Sequence, residues 1–193
     1  MDIHSDSFYG SNLDKDAYVK AQKDRHKAKA NKKRDRSHYE ACANEIRPLI
    51  SRGGKMVCLG TRNNHERNCF DEFLEDQGID AFSLDISPLS KADFIMDFNE
   101  LPKEWEEKWD IVFSNSLDHS ISATKAFSEW LRVVAKGGIL VVGFCVGEND
   151  LTAADCCTFN IDEVDEFMMQ KNEKFHLIKK FQNSYTYYVV RKA

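Results

Sequence analysis

The stretch from residue 109 to residue 142 constrains the fold of this chain more than any other. It begins with the apolar run WDIVFS, continues through the polar turn NSLDH and an amphipathic helical pattern, and ends with GGILVV. A strand, a helix and a second strand in this order form a unit in which both strands lie parallel in one sheet. The stretch therefore predicts an α/β fold with a polar turn at the carboxyl end of its first strand.

Further short apolar runs predict the rest of the sheet. The last two are joined by a Gln-Asn-Ser turn, which is short enough to require antiparallel strands. The predicted fold is a doubly wound, mostly parallel sheet of seven strands with a C-terminal antiparallel hairpin. The predicted strands are residues 55–60, 81–86, 92–98, 110–114, 139–144, 175–181 and 185–191, and the helical patterns centre on residues 39–50, 70–74, 126–134 and 161–168.

Charge divides the chain into two parts. The net charge is −5, yet residues 15–36 carry ten Lys or Arg and three Asp, whereas residues 48–193 carry 24 acidic and 16 basic side chains. We predict a polar, basic N-terminal extension over residues 1–36 and a single Rossmann-like domain over residues 37–193. The basic segment has good helix formers but no apolar stripe, so it is exposed, docked on a partner or only partly helical.

The composition is typical of a globular protein of the cytoplasm. No apolar run approaches the roughly 20 residues that a membrane span needs. The first ten residues lack the basic and apolar parts of a signal peptide, so we expect none. The six cysteines form no C-x-x-C pair, which favours reduced core cysteines. Neither they nor the six histidines show a metal-ligand spacing, and no metal is assigned.

The loop after the first predicted strand, residues 60–66, is the place where a doubly wound sheet touches its ligand. A dinucleotide site needs the pattern G-x-G-x-x-G here, and only Gly60 of it is present, which argues against NAD or FAD. Asn63 and Asn64 tolerate the left-handed backbone of a tight turn. Arg62 offers a forked donor for a carboxylate, or it is a surface residue of a polar turn.

Acidic residues close the next two strands. Asp85 ends the second strand, where an acid can accept hydrogen bonds from both hydroxyls of a ribose, or it belongs to the turn that Pro88 marks. Asp97 and Phe98 end the third predicted strand and suit the amino group and the ring of an adenine. The alternative is an Asp that ends a strand without binding a ligand.

The turn after the fourth strand holds Asp118 and His119. An imidazole titrates near neutral pH, so His119 can serve as a general base, with Asp118 orienting it or holding a cationic ligand. The alternative is that Asp118 caps the following helix and His119 only packs.

From about residue 54 onward the chain resembles the class I S-adenosylmethionine-dependent methyltransferases. The most specific part is Asp118-His119, followed by Arg132-Val133 and by Lys136-Gly137-Gly138 before strand five. The resemblance implies S-adenosyl-L-methionine as the cofactor and a segment over residues 147–158 that shapes the acceptor pocket. It implies as cofactor-binding residues Gly60, Thr61, Arg62, Asn63, Glu66, Asp85, Ile86, Asp97, Phe98, Asn115 and Ser116, and as catalytic residues Asp118 and His119.

The first motif of the family is altered in this chain. Its acid-x-Gly-x-Gly-x-Gly pattern reads Cys58-Leu59-Gly60-Thr61-Arg62-Asn63-Asn64, so one glycine of three remains and a cysteine replaces the acid. The cofactor has no pyrophosphate, so the loop needs to fit only a methionine tail and a ribose, which Arg62 and the two Asn residues can contact through their side chains. The acid that is missing would lie near the cofactor's ammonium group.

The sequence supports three functional hypotheses. The first is a methyltransferase acting on a small-molecule or sugar-like acceptor, since the chain carries no appended nucleic-acid-binding domain. The second is a methyltransferase acting on RNA or on an RNA-associated protein, with the basic residues 15–36 holding the RNA phosphates. The third is a non-catalytic Rossmann-like binding protein, which the altered first motif suggests because a fold alone does not imply function. The missing glycines disfavour an NAD-dependent enzyme.

Overall fold

A computed structural model describes residue 3, residues 6–7, residues 14–145 and residues 151–193 of the chain. These residues form five α-helices and nine strands. The helices are α1 (Lys15–Lys29), α2 (Arg36–Ile46), α3 (His65–Phe73), α4 (Ala123–Val133) and α5 (Ile161–Met169). The strands are β1 (Asp6–Ser7), β2 (Gly54–Leu59), β3 (Ile79–Asp85), β4 (Phe94–Ile95), β5 (Trp109–Ser114), β6 (Val134–Cys145), β7 (Cys157–Thr158), β8 (Phe175–Gln182) and β9 (Tyr185–Lys192).

Seven of these strands form one sheet in the order β4-β3-β2-β5-β6-β9-β8, and β1 pairs separately with β7. The neighbours from β4 to β6 run parallel, whereas β9 runs antiparallel to both β6 and β8. This topology confirms the predicted doubly wound sheet with its C-terminal antiparallel hairpin. The strand order reverses between β2 and β5, and a crevice at the carboxyl ends of these strands is the expected ligand site of such a sheet.

The third predicted strand, residues 92–98, is wrong in length, because only β4 is extended and paired. The side chain of Asp93 turns back to accept hydrogen bonds from the N–H and the hydroxyl of Ser83, both at 2.8 Å. The N–H of Asn99 donates to Oδ1 of Asp97 at 2.9 Å, which forms a turn just beyond the strand. Asp97 and Phe98 therefore lie in the loop after β4 and not in the strand.

The helix predicted around residues 39–50 also differs. As an α-helix it ends at Ile46 and continues as a 3-10 turn over Arg47–Leu49. Pro48 has no N–H to donate to the preceding turn, so the α-helical hydrogen bonds cannot run through it. Ile50 is extended and half-buried at the end of this turn.

Helices pack on both faces of the sheet. Alternate residues of β2 point to opposite faces: Val57 and Leu59 join the cluster that contains α4 and α5, and Cys58 joins the cluster that contains α2 and α3. In α4 the fully buried Trp130 donates its indole N–H to the carbonyl of Phe98 at 3.1 Å. The core thereby fixes the loop that carries Phe98 at the carboxyl edge.

Helix α1 packs across this carboxyl edge. Asp14 caps its start by accepting hydrogen bonds from the next N–H groups, and Tyr18 and His26 are buried on its inner side. The hydroxyl of Tyr18 donates to the carbonyl of His119 at 3.1 Å. The sequence left this segment exposed, docked on a partner or only partly helical; the structure instead has a helix docked on the chain's own domain. The domain boundary at residue 36 stays a prediction.

No helix in the described part of the chain is long and apolar enough to cross a membrane. All six cysteines are free thiols; five of them are buried and Cys145 is half-buried.

Candidate functional site

A cavity of about 600 Å³ opens at the carboxyl edge between β2 and β5. A second, narrow space of about 50 Å³ adjoins it beneath helix α1. Every site residue predicted from the sequence lines one of these spaces or both. The larger is lined by Gly60, Thr61, Arg62, Asn63, Glu66, Asn115, Ser116, Asp118 and His119, and the smaller by Asp85, Ile86, Asp97 and Phe98.

The loop after β2 has a glycine-like backbone even where glycine is absent. Gly60, Arg62 and Asn64 have φ values of 80°, 53° and 58°, all in the left-handed region. In the first motif of the methyltransferase family, glycine occupies all three of these positions. Arg62 and Asn64 hold this conformation at a cost of about 1–2 kcal/mol each, which the surrounding contacts must offset. Asn64 then serves as the N-cap of α3.

Gly60 marks the closest approach of three segments. A Cβ atom on Gly60 would lie 3.0 Å from Oγ of Ser116 and 3.4 Å from Cε1 of Phe98. The loop after β2, the end of β5 and the loop after β4 therefore meet at this point. A larger residue at position 60 would collide with Ser116 and press on Phe98.

Asp85 ends β3 and holds two loops in place through hydrogen bonds. Its Oδ2 accepts the N–H of Arg62 and its Oδ1 accepts the N–H of Ser87, both at 2.8 Å. Nδ1 of His26 in helix α1 lies 3.7 Å from Oδ1. Asp85 therefore makes the turn contact that was one of its two predicted roles. The same residue also lines the narrow space.

Asp97 presents an unused acceptor to the same region. Its Oδ1 is occupied by the N–H and the side-chain amide of Asn99, whereas Oδ2 is buried and has no hydrogen-bond partner among the described residues. Phe98 lies beside it and packs edge-to-face on Trp130, with the ring centres 5.3 Å apart. Tyr18, Gln22 and His26 of helix α1 cover this narrow space.

Glu66 lies in the first turn of α3 and is almost fully buried. Burial raises the pKa of Glu66 to about 8, against the smaller opposing effects of Arg34 and Tyr39. Its Oε1 has no hydrogen-bond partner among the residues that the structure describes. A buried carboxyl with a free oxygen at a cavity wall is suited to bind a cationic group.

His119 is held in one tautomer by the backbone. Its Nδ1 lies 2.9 Å from the carbonyl oxygen of Ala154, and because a carbonyl only accepts, Nδ1 carries the hydrogen. In the neutral ring the lone pair is then on Nε2, with Oδ1 of Asp118 3.9 Å away. The imidazole can therefore accept a proton at Nε2 from a molecule in the cavity.

Asp155 is a site residue that the sequence reasoning did not name. Its Oδ1 lies 3.2 Å from Nδ1 of His119, and Arg25 forms an ion pair with its other oxygen. Burial by itself would raise the pKa of Asp155, but His119 and Arg25 hold it well below its usual range. Thr152 and Asp155 line the larger cavity, as expected for the segment 147–158; residues 147–150 lie outside the described residues.

Asp118, His119 and Asp155 are also the only described residues grouped closely enough to hold a metal ion, with ligand atoms within 4.8 Å of one another. Arg25 already neutralises Asp155. A guanidinium in this position opposes a second cation, and we assign no metal to the group.

Helix α1 and the turn that follows it supply the other unpredicted part of the site. Five basic side chains of this segment line the larger cavity: Arg25, Lys29, Lys32, Lys33 and Arg34. Because the segment has no apolar stripe, the sequence did not show which side of the helix would face the domain. It therefore did not indicate which of the ten basic residues would face inward.

Comparisons with known proteins place the fold. No protein-family model matches the chain, and no curated protein matches it. Among solved structures, 1,6-didemethyltoxoflavin-N1-methyltransferase of Burkholderia thailandensis is similar at a TM-score of 0.65 and 14% identity, over 94% of this chain and 91% of that one. A putative methyltransferase in complex with the Haloferax volcanii activator Trm112 is similar at 0.62 and 15%, over 94% and 99%.

A structure named as a putative zinc-dependent alcohol dehydrogenase from Rhodobacter sphaeroides is similar as well, at a TM-score of 0.65 and 14% identity, over 93% of this chain and 100% of that one. At such identities the likeness concerns the fold. The fold of this chain is that of the class I methyltransferases, as the sequence resemblance implied.

Proposed function

We propose that this protein is a methyltransferase that uses S-adenosyl-L-methionine and methylates a small-molecule or sugar-like acceptor. The observation that carries the proposal is the loop after β2, whose backbone is left-handed at positions 60, 62 and 64 although two of these residues are not glycine. Such a backbone is costly and clusters at functional sites, and here it falls on all three glycine positions of the family's first motif. The fold, the acid at the end of β3 and the acid in the loop after β4 support the same function.

The residues that line the narrow space carry the chemical groups needed to bind the adenosine half of the cofactor. Asp85 is placed for the ribose hydroxyls, and the free Oδ2 of Asp97 beside Phe98 is placed for an adenine amino group. The space itself, about 50 Å³, is far below the roughly 300 Å³ at the lower end of ligand pockets. Helix α1, which covers it, must therefore move outward to admit the cofactor and then close over it.

Glu66 can replace the acid that the first motif lacks. Cys58 stands where the family has that acid, and it is fully buried in β2. Glu66 lines the larger cavity with a free carboxyl oxygen, near the tail end of the proposed cofactor site. We assign it to the ammonium group of the methionine tail.

When bound, the cofactor supplies a methyl group on a positively charged sulfur, which is open to in-line displacement. The chain's own contribution is to hold and orient the reacting groups and to exclude water. Nε2 of His119 accepts the proton of an acceptor hydroxyl, and Asp155 holds the ring through Nδ1. Helix α1 shields this region from solvent.

Calorimetry with S-adenosylhomocysteine and S-adenosylmethionine tests the proposal. We expect both to bind, and the backbone amides of helix α1 to exchange hydrogen more slowly in the complex. If neither compound binds, the protein is not a methyltransferase of this kind, and the non-catalytic binding hypothesis takes its place.

The replacement His119→Ala is expected to lower the rate of methyl transfer to a hydroxyl acceptor by about 10²- to 10⁴-fold, the usual contribution of a general base. The measurement is the transfer of labelled methyl groups to acceptors in a small-molecule extract, together with the affinity for S-adenosylhomocysteine. His176→Ala, on the exposed side of β8, is the matched control. Equal rates for the two variants would remove His119 from the mechanism.

A cytoplasmic location belongs to the same proposal and is supported by the six free cysteines.

A further inference from the structure

We propose that the acceptor carries a carboxylate or phosphate group, and that a basic cluster of Lys29, Lys32, Lys33 and Arg62 holds it at the mouth of the larger cavity. The proposal rests on the methyltransferase function given above and names the chemical class of its acceptor. All four side chains line the cavity that also contains His119. An anionic group held by this cluster would lie within the same enclosure as the proposed base.

The basic side chains of the N-terminal segment divide by their partners. Of the five that do not line the cavity, four are ion-paired and, among the described residues, only Lys23 is not: Lys20, for example, lies 2.8 Å from Asp24, and Arg36 lies 2.6 Å from Glu72. Within residues 14–145 and 151–193, by contrast, none of the four cluster side chains forms an ion pair or donates a hydrogen bond. Unpaired cations are thus concentrated where a ligand would lie.

The cavity has few anions of its own to balance the cluster. Asp155 is already paired with Arg25. Burial raises the pKa of Glu66 to about 8, so its carboxyl is mostly protonated at neutral pH. Asp118 is the remaining acid among the described lining residues, and Arg34 adds a further cation. The cavity therefore has a positive potential that favours an anionic ligand.

Lys29 has several cations as neighbours. Burial is the main cause that lowers the pKa of Lys29 below its usual value, and the repulsion from Arg25, Arg62 and Lys32 adds to it against the attraction of Asp155. Cations that are brought together without counter-ions raise the free energy of the folded protein, and a bound anion removes this cost. The cluster is consequently arranged for an anion rather than for solvent alone.

The cofactor does not neutralise the three lysines of the cluster. Its sulfonium and ammonium groups outweigh its single carboxylate, and an ionised Glu66 balances the one positive charge that remains. The charges of Lys29, Lys32 and Lys33 are then left without an anion, which the proposal assigns to the acceptor. Electrostatic balance then makes the cofactor and the acceptor bind more tightly together than separately.

The turn that carries the cluster is fastened to the loop after β2. The side-chain amide of Asn63 donates to the carbonyls of Ala30 and Lys32, at 2.9 and 3.0 Å. His65 Nε2 lies 2.9 Å from the carbonyl of Arg34, to which it donates. The basic turn is therefore positioned by the loop proposed to bind the cofactor.

The test compares two triple variants that remove the same charge. The cluster variant is Lys29→Gln, Lys32→Gln and Lys33→Gln; the control is Lys20→Gln, Lys23→Gln and Lys27→Gln, three exposed residues of α1 that do not line the cavity. Inorganic phosphate and citrate are titrated calorimetrically into the protein with and without an excess of S-adenosylhomocysteine, at constant ionic strength. The phosphate and citrate arms show which anion the site prefers.

We expect the cluster variant to lose affinity for the preferred anion by tenfold or more, and the control to change by less than twofold. Failure of both anions to bind the wild-type protein, or equal losses in both variants, would overturn the proposal. Tight binding of a short single-stranded oligoribonucleotide that both variants weaken equally would assign the charge to RNA instead. If S-adenosylhomocysteine does not bind but the anion arms behave as expected, the methyltransferase function fails while the anion site stands.

Discussion

Replacement of Asp85 by alanine is expected to weaken the binding of S-adenosylhomocysteine by roughly 100-fold, since hydrogen bonds to a charged group contribute about 1.5–3 kcal/mol each. The proposed ribose would lose both of its acceptors. The N–H groups of Arg62 and Ser87 would also lose theirs, so the loop after β2 would no longer be held. Isothermal titration calorimetry measures the effect.

Asp80→Ala is the matched control for this variant. Asp80 lies on the same strand, β3, near its opposite end, and its side chain is exposed. We expect its affinity to equal that of the wild-type protein. Asp85→Asn, which keeps one acceptor oxygen, should fall between the two. An Asp85→Ala protein that is folded by circular dichroism and binds the cofactor normally would refute the assignment of Asp85 to the ribose.

The free energy of unfolding is expected to fall as the pH rises from 5 to 9, and Glu66 is the cause. The pKa of its carboxyl is about 8 in the folded protein, because of burial, and 4.5 is the ordinary value that applies to the unfolded chain. A raised pKa contributes stability that is present below the ordinary value and is lost as the pH rises through about 8. The loss is on the order of 4 kcal/mol.

Glu66→Gln removes the titrating group and should flatten this part of the profile. Urea unfolding at several pH values provides the measurement. Glu163→Gln, in the exposed first turn of α5, is the control and should leave the slope unchanged. If Glu66 binds the ammonium group of the cofactor, it ionises on binding, and the binding enthalpy of the wild-type protein at pH 7 should depend on the ionisation enthalpy of the buffer. A slope that survives in Glu66→Gln would contradict the prediction.

The fold was predictable wherever a periodic pattern is strong. The unit formed by β5, α4 and β6 follows from apolar runs around a helix that buries Ala126, Phe127 and Trp130 every third or fourth residue. The third strand was predicted too long, because its ends depend on hydrogen bonds from Ser83 and Asn99 to aspartate side chains. Such contacts join residues that no periodicity relates.

The location of the site was predictable for a topological reason. The carboxyl ends of parallel strands meet at one edge, so residues that follow different strands were expected to lie together, and they do. The tautomer and the contacts of each site residue were not predictable. The tautomer of His119 depends on the carbonyl of Ala154, 35 residues away, and the partner of its Nδ1, Asp155, lies in the same distant segment.

The basic N-terminal segment separates what the sequence determines from what the tertiary structure decides. The sequence by itself determined its charge and its helical tendency, because both are properties of neighbouring residues. Only the tertiary structure decided which side of α1 faces the cavity. That side is selected by two buried residues, Tyr18 and His26, which contact the carbonyl of His119 and the carboxylate of Asp85. Tyr18 and His26 are two polar residues eight positions apart, so they form no apolar stripe that a sequence pattern could show. The groups that they contact come together only when the sheet has assembled.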